Sequence, residues 1–78
     1  MPDVHEAIPA GGLVIQTARK HRGYTQDELA AQYGISRNTL VNYETGKTEP
    51  SFLMVFEILK MMNYSIEEIY DYANGRRH

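Results

Sequence analysis

The side chains with the most specific chemistry in this 78-residue chain lie between positions 37 and 42. Arg37, Asn38, Val41 and Asn42 are related by steps of three and four residues, so an α-helix would place them on one face. An arginine can bond guanine O6 and N7, an asparagine can bond adenine N6 and N7, and a valine can contact a thymine methyl group. These residues are therefore candidates for reading base edges in a DNA groove. The alternative is an ordinary solvated polar face, which seldom carries an exposed valine.

The residues before this face carry signals that would hold it in position. Thr25 and Glu28 have the spacing of a capping box, which predicts that a second helix begins after Thr25. Gly34 can adopt the positive φ of a tight turn, so we expect it to end that helix. Ser36 can cap a third helix, which we predict over residues 37–44. Two short helices joined by a tight turn have the layout of a helix-turn-helix.

The rest of the chain predicts three more helices and no strand. No segment alternates apolar and polar residues with the period of two that a half-buried strand requires. Leu13, Ile15 and Ala18, together with Val14, would turn inward on a first helix over about residues 12–22. A fourth helix is predicted over about residues 52–62. A capping box at Ser65 predicts a short fifth helix, which ends near Asn74.

The predicted elements divide the chain into three parts. The first residues contain two prolines and show no periodic pattern, and the last residues are polar. All five predicted helices fall between these two ends, so they would form one all-α domain. The parts are a flexible arm at 1–10, a domain at 11–74 with its helix-turn-helix proper at 26–44, and a polar tail at 75–78.

The charged residues are distributed unevenly along the chain. The net charge of −2 argues against indiscriminate binding to nucleic acid. Positions 19–47, however, carry five basic and three acidic side chains, whereas the rest of the chain carries three basic and seven acidic ones. A basic segment on an acidic body is what a directed DNA footprint requires.

Composition argues against several other kinds of function. The absence of cysteine excludes disulfides and thiolate metal sites, and His5, His21 and His78 are too scattered to form a ligand cluster. We therefore expect no metal and no cofactor. No nucleophile–base arrangement or glycine-rich phosphate loop is recognisable, so we expect no enzyme activity. A secretory signal and a bilayer-spanning apolar run are also missing, which predicts a cytoplasmic protein.

A longer pattern of residues, in a fixed order and with fixed gaps, lies between positions 13 and 72. Its members are Ile15, Arg19, Gly23, Thr25-Gln26, Glu28-Leu29-Ala30, Gly34-Ile35-Ser36, Tyr43-Glu44, Gly46, Pro50-Ser51 and Ser65-Ile66-Glu67-Glu68. With these gaps the chain resembles the lambda-repressor-like (Cro/C1, or Xre-type) helix-turn-helix family. The resemblance implies a compact five-helix DNA-binding domain. It also implies a sequence-specific transcriptional regulator of repressor type, which reads an operator with its third helix.

The resemblance also implies roles for residues around the third helix. Arg19 and Glu44 match positions that form an internal ion pair, so Arg19 is not expected to contact DNA. A core aromatic is an equal alternative for Tyr43. Glu49 stands where family members often carry basic residues, which predicts modest affinity. The residues expected to contact DNA phosphates are Gln26, Ser36, Tyr43, Thr45 and Lys47.

The fourth and fifth predicted helices carry more apolar side chains than a domain of this size is expected to bury. We expect the surplus to form the surface of a homodimer that binds a palindromic operator, with a well-filled core as the alternative. The functional alternative is an antitoxin or adaptor-like member of the same family, whose main role is to bind a toxin or another protein. The candidates for the dimer or partner surface are Met54, Phe56, Met61, Met62, Tyr64 and Tyr70.

Overall fold

The computed structural model describes residues 5–7 and 10–73, without the side chains of Ile66, Tyr70, Tyr72 and Ala73. The described residues form an all-α fold, so the predicted fold class is confirmed. Each predicted helix is present, and its observed bounds differ from the predicted ones by no more than one residue. The helices are α1 (Gly11–Arg22), α2 (Gln26–Tyr33), α3 (Arg37–Glu44), α4 (Phe52–Met61) and α5 (Ile66–Ala73).

The starts of α2 to α5 are well predicted because the side chains that cap these helices are local in sequence. The Thr25 hydroxyl accepts a hydrogen bond from the Glu28 N–H at 3.1 Å, and the Glu28 carboxylate accepts one from the Thr25 N–H at 2.8 Å. Hydrogen bonds from Thr25 hold the pKa of the Glu28 carboxyl below its ordinary value, and the bond from the Thr25 backbone N–H has the largest effect. Ser65 and Glu68 form the same reciprocal pair before α5. At Gly34 the turn between α2 and α3 has φ 85°, which a side chain would strain.

The core forms around α1, which packs against α3, α4 and α5, while α2 packs against α3. Apolar side chains from all five helices meet there, and burial of this kind is the main stabilising force of a small domain. The buried members of the core are Ile15, Ala18, Leu29, Ala30, Leu40, Val55, Ile58, Leu59, Met62, Tyr64 and Ile69.

Three apolar residues differ from their predicted placement. Leu13 was expected to turn inward, but it is 57% exposed. It lies two residues, or about 200°, from the buried Ile15, so it faces the opposite side of α1. Met62 and Tyr64, predicted on a dimer or partner surface, are only 1% and 4% exposed. Tyr64 enters the core because its hydroxyl donates to the Ala18 carbonyl at 3.1 Å, which satisfies its polar end. These two residues therefore belong to the core of the protomer.

A close backbone approach joins α1 to the end of α3. A Cβ atom at position 12 would overlap both the carbonyl oxygen and the carbonyl carbon of Tyr43. Only glycine fits at this position because the obstacle is backbone, which cannot rotate away as a side chain can. The contact sets the distance between the two helices, and no local pattern in the sequence indicates it.

The segment before α1 contacts the start of α4. The carbonyl of Glu6 accepts a hydrogen bond from the Phe52 N–H at 3.0 Å, and Ala7 forms an isolated backbone bridge with Ser51. The other residues of the predicted arm, 1–4, 8 and 9, and the predicted tail at 75–78 lie outside the described residues. Within the described part of the arm, the backbone is thus hydrogen-bonded to the domain.

Candidate nucleic-acid interface

The two faces of α3 have opposite environments. On the inner face, Leu40 is fully buried and Glu44 is 7% exposed. On the outer face, Arg37 and Asn38 are exposed, and Val41 is half-buried. Asn42, the fourth candidate base-reading residue, is also half-buried. The structure therefore brings the four candidates together on the face of α3 that turns away from the core.

A buried ion pair holds the inner face of α3 against α1. The Arg19 guanidinium donates from Nε to Glu44 Oε2 at 2.7 Å and from Nη2 to Glu44 Oε1 at 2.9 Å. Its Nη1 donates to the Tyr24 carbonyl at 2.8 Å, so all three nitrogens have partners. A bidentate pair of this kind is directional, which an apolar contact is not. The pair thus fixes the rotation of α3 about its own axis.

The Glu44 carboxylate remains charged although it is buried. Burial alone would raise the pKa of the Glu44 carboxyl, but hydrogen bonds from Arg19 and Gln26 and the charge of Arg19 lower it. A further hydrogen bond from Gln16 acts in the same direction, and the pKa of Glu44 lies below its ordinary value. The sequence did not suggest Gln16, although it stands one helical turn before Arg19 on α1.

Gln26 extends the buried pair to the outer face of α3. Its Nε2 donates to Glu44 Oε1 at 3.1 Å, and its Oε1 accepts from Arg37 Nη2 at 3.3 Å. Arg37 also forms an ion pair with Asp27, with 3.3 Å between Nε and Oδ1. A candidate phosphate contact, Gln26, therefore connects the buried Arg19–Glu44 pair with a candidate base contact.

The other candidate phosphate contacts have varied surroundings. The Ser36 hydroxyl caps α3 by accepting from the Thr39 N–H at 3.0 Å. The Thr45 hydroxyl donates to the Val41 carbonyl at 2.9 Å, so its proton would have to turn before it could reach a phosphate. Lys47 is exposed, whereas Tyr43 is half-buried. Among these residues, Lys47 has the position and charge of a simple phosphate contact.

A polar groove of about 500 Å³ opens beside the N-terminus of α2. Sequence reasoning did not single out Lys20, Tyr24 or Gln16 for this region, because they come from α1 and the loop after it. Lys20 lies four residues after Gln16, so the two share a face of α1. The residues lining the groove are Gln16, Arg19, Lys20, Tyr24, Thr25, Gln26, Asp27 and Arg37.

The predicted dimer or partner surface is smaller than expected. Met54, Phe56 and Met61 are half-buried and pack against the core, so part of each side chain faces outward. The Lys60 ammonium lies 5.9 Å from the centre of the Phe56 ring. The side chain of Tyr70 lies outside the described residues.

The described part of the chain offers neither a metal site nor a membrane-spanning helix. No group of three or more histidine, aspartate or glutamate side chains lies close enough to hold a metal ion there. None of the described helices combines the length and the apolar character that a bilayer crossing demands.

The fold has five helices, and a tight turn joins α2 to α3, whose outer face is polar. These features define a helix-turn-helix domain. Residues 15–69, more than half of the chain, match the family model described as helix-turn-helix. The chain belongs to this family, in its Cro/C1 type, which has an all-α DNA-binding fold. The family comprises DNA-binding transcriptional regulators and not enzymes, so the prediction of no enzyme activity is confirmed.

Relatives from archaea and bacteria carry the same kind of name. An uncharacterised HTH-type transcriptional regulator of Methanocaldococcus jannaschii is 42% identical over 50 residues, which cover 64% of this chain and 76% of the relative. One from Archaeoglobus fulgidus is 38% identical over 56 residues, 72% of this chain and 80% of the relative. The HTH-type regulator YgzD of Bacillus subtilis is 29% identical over 56 residues, 72% and 85% of the two chains. No solved structure matches the chain.

Proposed function

We propose that this regulator binds a specific operator by placing α3 in the DNA major groove, and that it acts as a repressor in the cytoplasm. The observation that carries the proposal is the contrast between the two faces of α3. Glu44 is tied to α1 on the inner face, while Arg37 and Asn38 are exposed on the outer face. A recognition helix needs this combination, because base contacts require side chains that reach outward from a helix at a fixed angle.

In this proposal the outer face of α3 reads sequence and its surroundings bind the backbone. Arg37 and Asn38 would bond base edges, and Val41 and Asn42 would contact the neighbouring base pairs. The free N–H groups at the start of α2, beside Gln26, would face a phosphate. The other proposed phosphate contacts are Ser36, Tyr43, Thr45 and Lys47.

We further propose that the DNA-bound form is a homodimer on a palindromic operator. Four base-reading side chains specify too few base pairs to find one operator among roughly a million competing genomic sites. Two domains double the information, and their half-sites would lie about 34 Å apart on one face of the duplex. The outward parts of Met54, Phe56 and Met61, together with Tyr70, are the candidate surface for the second copy.

The proposal is tested by selecting DNA from a random duplex pool with the full chain. We expect an enriched palindrome, and sedimentation with a labelled duplex should give two protomers per site. A motif without symmetry and one protomer per duplex would contradict the dimer but not the DNA reading. No enriched motif, with a stable toxin-like or other protein partner recovered in a pull-down, would instead favour the antitoxin or adaptor role.

A further inference from the structure

Two residues at the start of α2 contact one edge of the Arg37 guanidinium. Its Nε faces Asp27 Oδ1 at 3.3 Å, and its Nη2 donates to Gln26 Oε1 at 3.3 Å. Among the described residues these are the polar partners that the guanidinium has. Both come from the first two positions of α2. The start of α2 therefore contacts the edge of the Arg37 guanidinium that carries Nε and Nη2.

These two contacts leave the other edge of the Arg37 guanidinium available for a base. Four of the five N–H groups of a guanidinium lie on two edges that can each donate a parallel pair, one from Nε and Nη2 and one from Nη1 and Nη2. Asp27 lies in ion-pair contact with the Nε of Arg37 and Gln26 accepts from its Nη2, so both partners lie on the first edge. The second edge, at the tip of the side chain, has two parallel donors. Guanine offers two parallel acceptors, O6 and N7, on its major-groove edge, and no other base does.

We propose that Asp27 is a specificity-determining residue that positions Arg37 to read guanine. The inference rests on the proposed function, in which the outer face of α3 meets base edges. Asp27 would act through Arg37 and need not touch DNA itself. Its carboxylate restricts the rotamers of a long side chain before binding, which lowers the entropy cost of the base contact. Its negative charge also repels DNA phosphates, so it should weaken binding to unrelated sequences.

A purely local role for Asp27 makes different predictions. A carboxylate in the first turn of α2 is favoured by the helix dipole, and in that role it would affect stability but not base preference. The pair with Arg37 contributes little stability in water, since the two side chains are 60% and 77% exposed. DNA bound over α3 would exclude water from this pair, and the attraction between the two charges would then be stronger. Base preference is accordingly the readout that separates the two roles.

The test compares Asp27→Asn with a matched control, Glu49→Gln, in the full chain. Glu49 is an exposed carboxylate in the loop after α3, so its removal changes the net charge equally without releasing Arg37. Each protein is presented with the same random duplex pool and then with duplexes in which one base pair of the selected site is replaced. The base position read by Arg37 is the one whose preference Arg37→Ala removes.

We expect the unmodified chain to prefer guanine at that position by about 10- to 100-fold. Asp27→Asn should reduce that preference about fivefold or more while its affinity for unrelated DNA rises or stays the same. Glu49→Gln should raise affinity for unrelated DNA and keep the preference for guanine. An unchanged preference in Asp27→Asn, or a base other than guanine at this position, would overturn the inference and leave the DNA-reading function intact. A pool from which the unmodified chain selects no motif would overturn both.

Discussion

Helices α1 to α3 and helices α4 and α5 share one apolar core but differ in the contacts that lie beside it. Around α3 the contacts are directional: a bidentate ion pair between Arg19 and Glu44, and a backbone approach at Gly12 that admits no side chain. On α4 the buried residues are Val55, Ile58 and Leu59, which make no hydrogen bonds through their side chains. Apolar burial brings helices together without fixing their rotation. The directional contacts around α3 lie where the angle of that helix would decide the fit to DNA.

The largest expected effect comes from the buried ion pair. Glu44→Ala should destabilise the domain by about 3–5 kcal/mol, because it leaves the Arg19 guanidinium buried without its carboxylate. Thermal or urea unfolding of both single variants and the double variant measures the coupling. The double variant should be less destabilised than the sum of the two single variants. Small, additive effects would contradict the pairing seen between these side chains.

The same pair makes stability depend on pH in the acid range. The pKa of Glu44 is lower in the folded chain than its ordinary value, so the folded state favours the charged form. Its contribution is therefore complete above the ordinary glutamate pKa of about 4.3 and is lost as the pH falls through the lower folded value. Unfolding curves between pH 2 and 6 should show a shallower pH dependence for Glu44→Ala than for the unmodified chain.

The contact at Gly12 should give the next largest effect. Gly12→Ala is expected to destabilise by about 3 kcal/mol, since the new methyl group would overlap the Tyr43 carbonyl. Helix propensity alone predicts the opposite sign, because alanine is favoured over glycine by about 1 kcal/mol. Thr17→Ala, at an exposed position of the same helix, is the control and should leave stability unchanged or slightly raised. A stabilised Gly12→Ala chain would mean that α1 and α3 are farther apart than described.

Substitutions on the outer face of α3 should change DNA binding and leave folding nearly unaltered. Arg37→Ala and Asn38→Ala should each cost about 1–3 kcal/mol on the best site and relax the preference at one base position. Lys47→Ala should weaken binding to all sequences and reduce the slope of log affinity against log salt by about one. Fluorescence anisotropy at several salt concentrations measures both. If Arg37→Ala keeps the full sequence preference, α3 does not read the site.

Most of the local structure of α1 to α3 could be predicted from the sequence. Capping residues such as Thr25 and Ser36 act within one helical turn, so a stretch of three or four residues is enough to identify them. The partnership of Arg19 with Glu44 spans 25 positions and was expected only from the family resemblance. The role of Gly12 could not be foreseen, because its obstacle is the backbone of another helix.

The apolar residues were the least predictable part. Leu13 and Met62 are similar in hydrophobicity, yet one is 57% exposed and the other 1% exposed. Their burial depends on where neighbouring helices lie, and composition does not contain that information. The pairing of Asp27 with Arg37 was missed for a related reason. It joins the start of α2 to the start of α3, and the turn between the two helices sets their separation.

The smallest expected effect concerns the one described side-chain hydrogen bond between α2 and α4. The Tyr33 hydroxyl donates to Glu57 at 2.7 Å. Burial and then the Glu57 carboxylate raise the pKa of Tyr33 to about 12. Tyr33→Phe should cost about 1 kcal/mol at neutral pH, because it removes the hydrogen bond and keeps the ring.

The pH dependence of that variant tests the contact itself. The folded pKa of Tyr33 is about 12, and the unfolded value is about 10, so the folded state favours the protonated hydroxyl. The contribution is therefore complete below pH 10 and disappears as the pH rises through 12. Urea unfolding of the unmodified chain and Tyr33→Phe should differ at pH 8 and converge near pH 12. Glu57→Gln keeps a weaker, uncharged acceptor and should fall between them at pH 8. Equal stability of all three chains at pH 8 would show that the hydrogen bond between α2 and α4 contributes nothing to stability.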